Sequence, residues 1–301
     1  YTTDLKIGDP KAVFIGVSPD DEAEDGFRET IRTVLKGPPD AMRSDPPRPY
    51  IEIPLLINID PEDDVCWIRV GSEQAIIRQG EWSDWVPVSF EIMPMTPVTG
   101  MVRFYAKELR PGFKLYVSPI NFDPAAPAAP ITTPADDFGA GIAEAMGPYY
   151  TQGMPEETNA LKDGLFDDAD FVKQVQLVHE DGHRMLDLAM ERFASGDMSF
   201  VYLSDIDLQC HMLWHHNDIK EPGRETSHPA HQPDLKGVHG GHLVDFYTGV
   251  DAVLGHVRET LPAETMLVVI SDHGFQPYTR KVNLNAWLRD EGYLVLKDGA
   301  T

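Results

Sequence analysis

The sequence predicts an α/β protein in which a mostly parallel sheet is sandwiched by helices and carries a β-rich insertion or flanking subdomain. Two apolar runs, at 200–203 and 266–270, are short, β-prone and unalternating, as strands buried on both faces of a parallel sheet are. Helical periodicity precedes each of them, giving the order helix, strand, loop, helix, strand, loop that builds layered α/β folds. Upstream, from about residue 50 to 118, apolar runs separated by turn formers read as an antiparallel meander. The chain accordingly divides into a β-rich segment, 1–130, and an α/β core segment, 131–301.

Taken in order, 12–17 is strand-like and runs into Ser18-Pro19-Asp20-Asp21, which reads as a β-turn. Strands are expected at 50–59, 65–70, 74–78, 85–92, 101–109 and 114–117, with Asp60-Pro61, Gly71, Gly80 and Pro111-Gly112 between them. In the fifth, Val102, Phe104 and Ala106 alternate with Arg103, Tyr105 and Lys107, so the first set should face a core and the second solvent. Residues 123–134 contain Pro124, Pro127, Pro130 and Pro134 and form an ordered connector, because proline fixes φ and lacks a donor. Helices follow at 169–193, with a stripe of Phe171, Val175, Val178, Met185, Ala189 and Phe193, and at 243–261. The Pro-, Gly- and His-rich segment 218–241 is long for a connection and is expected to cover a site.

The chain has 301 residues, 42% of them hydrophobic, which is enough for a packed core. Its formal net charge of −24 repels phosphate backbones, so a nucleic acid polymer is a poor partner and a small substrate a better one. No membrane-spanning segment is expected. Cys66 and Cys210 make no disulfide framework and suit the reducing cytoplasm, while a processed periplasmic or secreted form is also compatible.

The chemistry is concentrated just beyond the two apolar runs, where open α/β sheets gather ligands. The first run leads into Ser204-Asp205-Ile206-Asp207-Leu208-Gln209-Cys210-His211. If a helix starts there, Asp207 and His211 share one face, roughly 5 to 6 Å apart at Cβ, which suits a common divalent cation. The second run leads into Ser271-Asp272-His273-Gly274-Phe275, where Asp272 and His273 can serve a cation from two directions and Gly274 allows close backbone approach. His215 lies one further turn beyond His211 and can join the same cation or stay in solvent. Cys210 reads as a buried, inert thiol.

These stretches, with Val282-Asn283-Leu284-Asn285-Ala286-Trp287-Leu288 downstream and Trp214 beyond His211, resemble the alkaline phosphatase superfamily in its type I phosphodiesterase and nucleotide pyrophosphatase branch. Weaker likeness covers 81–85, 115–120 and 149–153. The resemblance implies an alkaline phosphatase-like core and a hydrolase of phosphate monoesters or diesters. It also implies two divalent metal ions, usually zinc and sometimes manganese, and attack by an upstream Thr or Ser. Asp272 and His273 would hold the ion that activates the nucleophile, and Asp207 and His211 the ion that stabilises the leaving oxygen.

The family's nucleophile, an early metal-binding Asp and a late metal-binding His have no convincing counterpart here. Ser18 with Asp20 has the wrong order and spacing, and Thr151 and Thr158 are unsupported. The chain therefore reads as a central segment of a longer enzyme, whose partners are a small phosphoester and either a second copy or the remaining parts of the enzyme. A phosphomutase sharing this core, or a non-catalytic binding module, are the alternatives.

Overall fold

The computed structural model describes residues 14–15, 29–40, 50–60, 62–93, 96–110, 112–132, 138–216, 241–276 and 281–297. The Ser18-Pro19-Asp20-Asp21 turn and nearly all of 218–241 lie outside them. The chain forms two compact units, 1–208 with 256–265 and 209–255 with 266–301.

The first unit is built on three antiparallel sheets. Strands β2 (Glu29–Pro39), β3 (Tyr50–Asp60), β4 (Val65–Val70) and β5 (Glu73–Arg78) pair in sequence order. Their register sets Ile57 opposite Ile31 and Ile68. Gly71, with φ of 57°, supplies the left-handed conformation that the two-residue turn between β4 and β5 requires. A second sheet has the order β10 (Asn121–Phe122), β7 (Thr96–Val102), β6 (Val86–Met93), and a third β1 (Phe14–Ile15), β9 (Lys114–Val117), β8 (Phe104–Glu108). Ile57, Ile68, Val88, Phe90, Phe104 and Leu115 belong to one buried apolar cluster that draws on all three sheets.

The strand expected at 101–109 is broken at Arg103, where the chain passes from one sheet to another. Side chains replace ladder partners at this corner: Ser118 Oγ accepts from the Arg103 N–H at 2.9 Å and Ser83 Oγ from the Phe104 N–H at 2.9 Å. The expected division into a core face and a solvent face also fails. Arg103 is 8% and Tyr105 1% exposed, because other elements cover the second face. The Arg103 guanidinium donates to the Ser83 carbonyl at 3.1 Å and lies 4.6 Å from the Trp85 ring centre. Tyr105 stacks on Trp82 and meets Phe166 edge-on.

Among the described residues, six α-helices follow the sheets: α1 (Phe138–Met146), α2 (Thr158–Lys162), α3 (Asp168–Glu191), α4 (Asp205–Leu213), α5 (His242–Thr260) and α6 (Leu284–Asp290). Helix α3 begins in a capping box, Asp167 accepting from the Asp170 N–H at 2.9 Å and Asp170 from the Asp167 N–H at 3.0 Å. Its buried stripe is Phe171, Val175, Val178, Leu186 and Met190; Met185, Ala189 and Phe193, expected to be its second half, are only half-buried.

The described residues contain no parallel strand pair. Residues 200–203 and 266–270 lie outside regular secondary structure, and Tyr202 and Ile270 are exposed. An apolar run becomes a buried parallel strand only when neighbours on both edges complete its ladder, and no described strand pairs with either run. The described architecture is thus antiparallel sheets with helices.

The second unit holds the end of α4, a 3-10 turn at Trp214–His216, the greater part of α5, and α6. Helix α6 starts at an Asn283 cap, whose Oδ1 accepts from the Ala286 N–H at 3.0 Å.

Candidate metal centre

Helix α4 forms directly after the first apolar run, and so places Asp207 and His211 one turn apart on the same face. The ligand atoms of the two lie within 4.8 Å of each other, and those of His211 and His273 do as well. The loop after the second apolar run therefore meets the helix at His211.

Aromatic packing orients these rings. His211 and His273 meet edge to face at 5.6 Å between ring centres, and Phe275 packs against them at 4.9 and 5.2 Å. Trp214 stacks on Phe275, at 5.7 Å. The His273 Nδ1 lies 3.2 Å from the Gly274 carbonyl. A carbonyl only accepts, so Nδ1 is the N–H and Nε2 of the neutral ring carries the lone pair, the usual arrangement of a metal-ligating histidine. The loop is tightened by Ser271 Oγ, which donates to the His273 carbonyl at 2.6 Å.

Asp272 stands beside this group and not within it. Its Oδ1 accepts from the His273 N–H at 3.1 Å, and its Oδ2 lies 3.8 Å from His273 Nε2. Gly274 plays a smaller part than its spacing implies, since a Cβ there would meet no neighbour. His215 lies in the 3-10 turn that succeeds α4, so helical spacing to His211 is lost. The Cys210 thiol is buried and lies 3.8 Å from the Tyr247 hydroxyl.

Two features were not readable from residue types. His242 Nε2 lies 2.6 Å from Oε1 of Gln209, a fully buried residue of α4. Ser204 Oγ donates to Glu156 Oε1 at 2.5 Å, and Glu156 and Glu157 are both buried. Consecutive glutamates in a Pro-Glu-Glu-Thr stretch look like a solvated surface, and only their burial distinguishes them.

Carboxylate oxygen with imidazole nitrogen is a donor set suited to zinc or manganese, and both His211 and His273 are open to an incoming ligand. A family model described as type I phosphodiesterase / nucleotide pyrophosphatase matches residues 129–301, more than half of the chain, and that span includes Asp207, His211, Asp272 and His273. No curated protein and no solved structure matches the chain. The chain belongs to the type I phosphodiesterase and nucleotide pyrophosphatase family, a family of phosphoric ester hydrolases within the alkaline phosphatase superfamily.

Proposed function

We propose that this chain carries the metal-binding part of a phosphohydrolase that cleaves a small phosphate monoester or diester, with residues 131–301 as its alkaline phosphatase-like α/β segment. Asp207 and His211 hold one divalent ion, and Asp272 and His273 a second, with zinc favoured over manganese for imidazole-rich sites. Bound there, such ions would supply positive charge to offset that of the phosphoryl group.

The protein's share is arrangement. Helix α4 fixes the spacing of one carboxylate and one imidazole, and the Gly274 carbonyl selects the His273 tautomer whose Nε2 can ligate. Phe275 and Trp214 give the two imidazoles a rigid apolar backing. The attacking hydroxyl belongs to an upstream Thr or Ser.

The observation that supports this reading most is the approach of His273 to His211, because it joins two histidines separated by 61 intervening residues. The test combines elemental analysis of the purified 301-residue chain with hydrolysis of an aryl phosphate and an aryl phosphodiester. Bound zinc that is lost in His211→Ala is the expected result. A wild-type chain that neither takes up zinc or manganese nor turns over either ester would overturn the reading.

A further inference from the structure

Glu156 and Ser204 have no role in the reading above, yet they form a part-buried polar contact at the start of the helix that carries Asp207 and His211. Glu156 is 4% exposed. Taking a carboxylate out of water costs several kcal/mol unless it is well hydrogen-bonded, so a buried Glu at this place calls for a reason.

The contacts form a chain of support within the first unit. Gln174 of α3, 1% exposed, clamps the segment before α2: its Nε2 donates to the Pro155 carbonyl at 2.9 Å and its Oε1 accepts from the Glu157 N–H at 3.0 Å. That clamp holds Glu156 between two fixed backbone points. Glu156 Oε1 in turn accepts from Ser204 Oγ at 2.5 Å. Ser204 is the residue at which α4 begins, since its carbonyl accepts from the Leu208 N–H at 3.1 Å. A hydrogen bond to a carboxylate is about twice as strong as a neutral one, and negative charge is favoured at a helix amino end.

We propose that Glu156 is a positioning residue, which through Ser204 fixes the start of α4 and so the aim of Asp207 and His211 at a divalent ion. The inference rests on the reading of α4 as the metal-bearing helix. Asp207 is three residues beyond Ser204, in the first turn, where any play at the helix start is passed directly to the ligand. Residues that hold ligands in place are worth about 10- to 100-fold in metal affinity.

The test uses the full chain, with zinc affinity measured by competition against a chromophoric chelator and stability by urea denaturation. Glu156→Ala and Ser204→Ala are each expected to weaken zinc binding about 10- to 100-fold. Ser204→Ala in the Glu156→Ala background adds little, because both remove the same hydrogen bond. Glu156→Gln keeps an accepting carbonyl and is expected to restore most of the affinity, whereas Glu156→Leu, which keeps the bulk but cannot accept from Ser204, is expected not to. Ser204→Ala removes one oxygen and tests the inference even where Glu156→Ala does not fold. Wild-type zinc affinity in a folded Ser204→Ala chain overturns the positioning role and leaves the metal reading standing. A wild-type chain that binds no zinc overturns both.

Discussion

Glu157 is the clearest case of a side chain whose chemistry is set by its surroundings. Burial pushes its carboxyl up from 4.5 to about 7, with a hydrogen bond from Tyr116 opposing the shift. A carboxyl raised in the folded state stabilises fully below its ordinary value and loses that contribution as pH rises toward the folded one. Stability is therefore expected to fall between about pH 4.5 and 7 by up to about 3 kcal/mol. Urea denaturation at pH 5 and pH 8 reads this, and Glu157→Gln is expected to flatten the difference; an unchanged slope would show that Glu157 is not its source. For Asp272, replacement by Asn is expected to lower ester hydrolysis by orders of magnitude in the complete enzyme while unfolding stays cooperative. Wild-type turnover in that variant would remove Asp272 from the site. Asp207 and His211 are legible in the sequence because helical spacing alone puts them on one face. Glu156, Glu157 and Ser204 are not, because residue type does not reveal burial.

Helix α3 is anchored to the sheets through one carboxylate with three tasks. Asp170 accepts from the Tyr105 hydroxyl and from Lys107 Nζ, each at 2.5 Å, and also completes the capping box. Burial alone would raise its carboxyl, but the Lys107 ammonium, the Tyr105 hydroxyl and the Asp167 N–H together hold it below its ordinary value. Its contribution is then complete above that ordinary value and is lost as the solution is acidified through the lowered one. Asp170→Asn breaks a largely buried pair and is expected to cost about 3 kcal/mol, read as a lower urea midpoint. A change under about 0.5 kcal/mol, the range of ordinary surface substitutions, would show that α3 is held by its apolar stripe alone. At the edge between β7 and β10, a Cβ on Gly100 would stand 2.6 Å from Ile120 Cγ2 and 2.8 Å from the Asn121 carbonyl. Gly100→Ala is expected to cost about 1–3 kcal/mol, and a neutral result would mean that the β10 edge yields freely. The strands at 65–70 and 114–117 follow from alternation and turn residues, which are local signals. The break at Arg103 does not, since it depends on Ser83 and Ser118 arriving from elsewhere in the chain.

Taken over all 301 residues, a charge of −24 coexists with exposed apolar runs, among them Val268, Val269 and Ile270 at 66%, 65% and 74% exposure. Contiguous apolar surface of this kind drives association. The chain is expected to bind a hydrophobic dye and to self-associate, and Val268→Lys with Ile270→Lys to reduce both. Dye fluorescence and sedimentation velocity check this; an unchanged signal in the double variant would place the sticky surface elsewhere. Among the described residues no helix is long and apolar enough to cross a membrane.

Local order was legible without coordinates. Strands, the long helix α3 and the two Asp/His motifs rest on periodicity and spacing, which act over a few residues. Partnership beyond that meander required the folded chain: the division of the described strands among three sheets, the burial of Tyr105 under Trp82, the meeting of His273 with His211, and the reach of Glu156 to Ser204. Each of these depends on contacts between residues far apart along the chain, and packing selects them among many pairings that the residue types alone permit equally well.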